Sequence, residues 1–239
     1  MPRRTLIAVV LLGALSLTGC ASQPAATPSA TPTPTPTPVA TVAPSGDGML
    51  SIGTLFPMTG DSAASGAAQV AGTELAVRDV LADQTTQTQP LQLIHRNSAG
   101  DLAAAYADFA ARGVDLILWD ATTALPTDAE ASAGNAAIVA VGDFAADGTP
   151  LAADEVFTAR LKTADPGLSG SVGGAEAYDG VITAALAAVI TDDDGGASLE
   201  AGWPQVMSGS AVCRTWGECV FALGEKQVID YQGMSGRRS

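Results

Sequence analysis

Between Leu50 and Val141 the chain alternates four short apolar runs with longer helix-like stretches, and few folds accommodate that order. The runs are Leu50–Phe56, Leu91–His95, Val114–Trp119 and Ala136–Val141. Residues 64–82 carry Val70, Leu75, Val77, Val80 and Leu81 at helical spacing, which predicts an amphipathic helix. Asp101 suits the start of a helix to Arg112, which Gly113 stops, and a shorter helix is expected over 125–133. Strands alternating with helices predict an α/β fold: a Rossmann-like parallel sheet, flanked by helices and joined by right-handed crossovers. Ligands of such sheets gather at the carboxyl ends of the strands. The candidate loops are therefore 57–66, 96–100, 120–124 and 142–148. Beyond residue 150 the pattern weakens. A helix over 174–190, a turn at 192–196, a short helix from Thr215 to Leu223 and a last strand at Val228–Tyr231 are expected. No internal repeat is present.

Composition narrows the classes. Hydrophobic residues make up 47% of the 239, enough for a core. With 25 acidic and 11 basic side chains the formal charge is −14, which argues against a nucleic-acid partner. The only long apolar run is at the N-terminus, which excludes a polytopic membrane protein. Residues 21–48 are built from Ala, Thr, Pro and Ser, including the Thr-Pro repeats of 31–38. Proline fixes φ and removes donors, so this segment reads as an extended spacer rather than helix or sheet. Its Thr/Pro density also suits O-glycosylation.

Arg3 and Arg4 precede the apolar run Leu6–Leu12, the pattern of a secretory signal peptide. The run closes in Leu17-Thr-Gly-Cys20, which resembles the bacterial lipobox. That resemblance implies cleavage after residue 19 and a diacylglycerol on Cys20; the alternative is a plain signal peptide with an incidental cysteine. Removing two arginines takes the charge to 9 − 25 = −16. The expected organisation is a signal peptide over 1–19, a lipidated Cys20 with its linker over 20–48, and a folded lobe over 49–239. An exported chain can keep a disulfide, and Cys213 and Cys219 are the remaining pair. Two reduced, buried thiols are the alternative. A metal site is not expected, since His95 is the sole histidine and no other cysteine pair exists.

Ile52-Gly-Thr-Leu-Phe-Pro-Met-Thr-Gly60, then Gly66 and Ala71-Gly-Thr-Glu-Leu-Ala-Val77, resembles the opening of type I solute-binding proteins of ABC transporters, in the branched-chain amino acid group. Arg96-Asn-Ser-Ala-Gly-Asp101 and Gly113-Val-Asp-Leu-Ile117 resemble its second and third strands. Phe157–Leu168, Glu176–Val181, Cys213–Cys219 and Ile229-Asp-Tyr-Gln-Gly-Met-Ser-Gly236 resemble its closing part in actinobacterial members. The resemblance implies a membrane-anchored, extracytoplasmic binding protein that passes an amino acid or similar small polar solute to an ABC permease. It implies no cofactor and no catalysis. Family members close two lobes on their ligand. Here the central block expected near 150–155 is absent, so the expectation is one lobe with an exposed former interlobe face. The family's hydroxyl-bearing loop after the third strand corresponds to Trp119-Asp-Ala-Thr-Thr123, so the resemblance carries ligand binding to Thr122 and Thr123 only. The rival reading is a lipid-anchored, one-lobed derivative acting as a non-transporting surface or protein-interaction module. A homodimer pairing two open clefts reconciles the two.

Other motifs weigh less. Gly60-Asp-Ser62 resembles an esterase nucleophile block, but the chemistry needs a histidine base and His95 lies on a predicted strand. Gly170–Gly174 lacks the lysine of a phosphate loop and reads as a flexible splice. Asp192–Asp194 lacks calcium-loop spacing and reads as a solvated turn. Trp119, Trp203 and Trp216 are expected in core or interface packing.

Overall fold

The computed structural model describes residues 42–82, 90–120, 125, 128–129 and 133–236. Strands β1 (Leu50–Phe56), β2 (Leu91–Asn97), β3 (Leu116–Trp119) and β4 (Ala137–Ala140) form one sheet in the order β2-β1-β3-β4. All pairings are parallel, with Ile52 opposite Leu93 on β2 and Leu116 on β3, and Leu116 opposite Ala137 on β4. The α/β fold expected from the pattern is thus the fold observed.

Side-chain alternation divides the sheet's faces. Leu50, Ile52, Phe56, Leu116, Leu118 and Ala137 join one buried cluster; Leu55 and Ile117 join the other. Helix α1 (Ala63–Ala82) lies on the first face, and α2 (Leu102–Ala111) brings Tyr106 and Phe109 to the second. From β1 the chain steps one way to β2 across the first face. It then steps back past β1 to β3 across the second, so these two connections share one hand. β1 ends at Pro57, which cannot donate to a ladder. The Asp101 carboxylate caps α2 by accepting from Ala104 N, and Gly113 ends it with φ +63°. Of the helix expected over 125–133, Ala129 is helical and buried with Ala133 on the second face; 126–127 and 130–132 lie outside the described residues.

Four further helices and two strands follow a 3₁₀ turn at Val141–Phe144: α3 (Glu155–Ala164), α4 (Gly174–Thr191), α5 (Gly196–Val206), β5 (Ala211–Cys213), α6 (Trp216–Gly224) and β6 (Ile229–Tyr231). β5 and β6 make a second, two-stranded parallel sheet. α4 is buried on every side from Gly174 to Ala188, the environment an apolar-all-round helix requires. α1 and α5 flank it, and a Cβ on Gly72 would stand 2.1 Å from the Gly174 carbonyl, so only glycine permits this approach of α1 to α4.

Several expectations are corrected here. α3, α5 and β5 were not anticipated after residue 150. On α1 the expected face holds for Val70, Leu75, Val77 and Val80, which meet the core, and fails only at Leu81, which is half exposed; Ala68, Ala71 and Ala76 fill the close contact with α4. Gly170–Gly174 is a packed turn, not a loose splice: Gly173 N donates to Leu151 O, Gly174 N to Ser171 O, and Ser171 is buried. Asp192–Asp194 is no simple solvated turn. Asp193 accepts from Ser45 N and Gly46 N, and buried Asp194 accepts from Gly48 N, tying the entry of β1 to the end of α4.

Candidate functional site

The sheet order reverses between β1 and β3, and the carboxyl ends there form the expected ligand-facing rim. Met58 N, just past β1, donates to the Asn97 side-chain oxygen, and Asn97 Nδ2 donates to Thr59 Oγ1. Ser98 N donates to Phe56 O, and Asp120 N to Leu55 O. The loops after β1, β2 and β3 are therefore locked to one another by backbone and amide bonds. Helix α1 starts directly after the first loop, with Gly66 N donating to Ser62 O. A Cβ on Gly66 would stand 2.0 Å from the Pro57 carbonyl, so the loop can fold this tightly onto the helix only with glycine. Asp120 is buried beside this rim, which disfavours an anionic group next to it.

Thr122 and Thr123, the two ligand-binding candidates, lie outside the described residues, as does Cys20. Cys213 and Cys219 are bonded as a disulfide that links β5 to α6, with both residues buried. His95 lies on β2 as predicted. Its Nδ1 is 2.7 Å from Thr54 Oγ1 and its Nε2 is 3.2 Å from Glu74 Oε1, so both ring nitrogens are occupied between β1 and α1. Among the described residues no three His, Cys, Asp or Glu side chains converge to hold a metal ion. Trp216 is in the core, Trp119 packs on the second face, and half-buried Trp203 packs edge-on to Phe144.

Two polar clusters were not anticipated. Asp179 on α4 is wholly buried, and its carboxylate collects Tyr231 OH, Met234 N, Ser235 N and Ser235 Oγ. Burial pushes its pKa up against the pull of these donors. Gly233, at φ +64°, lies against the same carboxylate. Asp79 on α1 accepts from Arg160 and from Tyr178 OH, both at 2.6 Å, while the guanidinium lies over the Phe157 and Tyr178 rings. Desolvation holds the Tyr178 hydroxyl well above its ordinary range, so it stays protonated and donates. Motif positions 157, 176–181 and 229–236 thus act in part as structural ties between α3, α4 and the segment after β6. Glu176, for example, accepts from Leu151 N.

Among the described residues one cavity, of about 300 Å³, adjoins the rim, lined by Met58, Ala63, Ala67 and Glu74, and three others lie apart from it. One of about 670 Å³ opens between α4, α6 and β6, lined by Val189, Ile190, Val220, Leu223, Lys226 and Val228. A second, of about 360 Å³, lies between β4 and α5. A third, of about 310 Å³, lies at the amino ends of the strands beside Asp47 and Asp115.

No family model and no curated protein matches the chain. Among solved structures it is similar to the branched-chain amino acid transporter substrate-binding protein LivJ of Streptococcus pneumoniae, solved in complex with isoleucine. That likeness has 19% identity and a TM-score of 0.29, covering 39% of this chain and 28% of that one. The matched part is less than a third of that protein's length.

Proposed function

We propose that this chain is an extracytoplasmic, lipid-anchored solute-binding protein that delivers an amino acid or similar small polar solute to an ABC permease. The observation that supports this most is the switch point of the β2-β1-β3-β4 sheet. The sequence motifs Ile52–Gly60 and Arg96–Asp101 fall on β1, the end of β2 and their loops at that point, while Gly113–Ile117 forms the entry into β3. In this reading Thr122 and Thr123 hold the solute's head group, Cys20 carries the lipid, and the linker after Cys20 spaces the lobe from the membrane as far as residues 45–48, which are tied to the lobe.

The test is a thermal-shift screen of the chain from residue 21 onward against amino acids and small polar solutes. Ligand at 100 times its Kd adds about 2.7 kcal/mol. For a chain of this size that raises Tm by roughly 5–10 °C. One solute class should move Tm, and Thr122→Ala with Thr123→Ala should abolish the shift. Palmitate labelling that disappears in Cys20→Ala tests the anchor.

A second reading rests on a different observation. Leu151, Val156 and Val172 are exposed apolar side chains, and Ser65 Oγ at the start of α1 donates to Val172 O, which places Val172 near the rim. A surface module that binds a protein or a second copy of itself would use such residues. In that case no solute moves Tm, and sedimentation shows concentration-dependent association instead.

A further inference from the structure

The cleft between edge strand β4 and helix α5 has a chemistry that the solute-binding reading does not use. Glu200, Trp203 and Pro204 share one face of α5, spaced three and four residues apart. Ala137 and Val139 project from one face of β4, and Asp143 in the following turn completes the lining. The Trp203 ring is set by Phe144, with centroids 5.5 Å apart and planes at 61°. The Asp143 carboxylate is set by a hydrogen bond from Ala140 N. Pro204 has no N–H, so it cannot donate to the Glu200 carbonyl, whose helical partner it would be.

The lining therefore combines two carboxylates and an indole with an apolar floor, and contains no lysine or arginine. An anion is repelled, the more so by a chain of net charge −14. A bare divalent metal ion would need six or more oxygen ligands, which the alanine, valine and indole surfaces do not supply. An organic cation uses all of it. Its charge meets the carboxylates and the indole, and its alkyl groups meet the aliphatic lining of Ala137 and Val139. The volume of about 360 Å³ is at the small end for ligand pockets. We propose that this cleft binds a small alkylammonium ion.

The experiment titrates the full chain, ¹⁵N-labelled on tryptophan, with choline chloride. The controls are 3,3-dimethylbutan-1-ol, which is its uncharged isostere, and sodium chloride at matched ionic strength. Trp203→Phe assigns the Trp203 indole resonance. Choline should shift that resonance saturably, with the neutral isostere about tenfold weaker. Glu200→Gln, at an exposed position, should weaken choline binding severalfold while leaving the spectrum otherwise unchanged. Three results would overturn the proposal: an unmoved Trp203 resonance, equal binding of choline and the alcohol, or Glu200→Gln binding as tightly as the parent. None of them bears on the amino-acid screen, so the two readings fail independently.

Discussion

Asp115 lies at the amino end of β3, where its carboxylate accepts from Ser51 N at 2.9 Å. Burial, reinforced by the charges of Asp194, Asp47 and Asp193, raises its pKa from 3.8 to about 7, against the pull of the Ser51 bond. The folded protein therefore binds a proton at this site that the unfolded chain releases above about pH 4. Stability from this group is intact below pH 4, falls as pH rises through the window from 4 to 7, and is lost above 7. The full displacement corresponds to about 4 kcal/mol. Asp115 is partly exposed, and solvent screening halves this to about 2 kcal/mol. Asp115→Asn keeps an acceptor for Ser51 and removes the charge. Urea unfolding at pH 4, 6 and 8 should show the variant equal to the parent at pH 4. At pH 8 it should be about 2 kcal/mol more stable, a rise in Tm of roughly 4–8 °C, with an unchanged m-value. A variant less stable at pH 8, or a gain of the same size at pH 4 and 8, would refute the reasoning.

Three other outcomes follow from the packing. Asp179→Ala strands four buried or half-buried donors around residues 231–235 and should cost about 3–5 kcal/mol in denaturant titration, with early proteolysis after β6. Replacing Cys213 and Cys219 together by serine opens a loop of sequence separation 6 and should cost about 2 kcal/mol by the chain-entropy relation, read as a lower urea midpoint. Gly72→Ala places a methyl against the Gly174 carbonyl and should cost about 1–3 kcal/mol, whereas Gly224→Ala, with open space around it, should be near neutral in the same calorimetric comparison.

The first half of the fold was legible because each strand carries a short apolar run or alternation, as in LSIGTLF, bounded by proline, glycine or a capping aspartate. Local chemistry and tertiary packing agree there. They part company after residue 150. α5 begins with Gly195-Gly196 and contains Pro204, all of which read as breakers, yet Leu199, Gly202 and Val206 are buried and hold it as a helix. β5 has three residues, and its Val212 faces solvent, so no alternation was there to detect. The face of α1 was legible from Val70, Leu75, Val77 and Val80, which meet the core; only Leu81 falls off it, because the close contact with α4 is filled by small residues such as Ala68 and Ala71. The rim could be located from strand order alone. The β4–α5 cleft could not, because three of its lining residues sit on a helix the pattern does not announce. The buried role of Asp179 also had no local signal, since its partners lie 52–56 residues away.

That long separation bears on the order in which the domain can assemble. Residues 231–235 follow Asp179 by 52–56 positions, so a chain emerging amino end first presents Asp179 for an interval before its donors arrive. Throughout it, the central helix carries a carboxylate whose burial has no donors to offset it. A nascent chain is thereby discouraged from closing its core around α4 early. The parallel sheet up to β4 can form first, but the helical layer over its first face becomes favourable only when the segment after β6 arrives to satisfy Asp179.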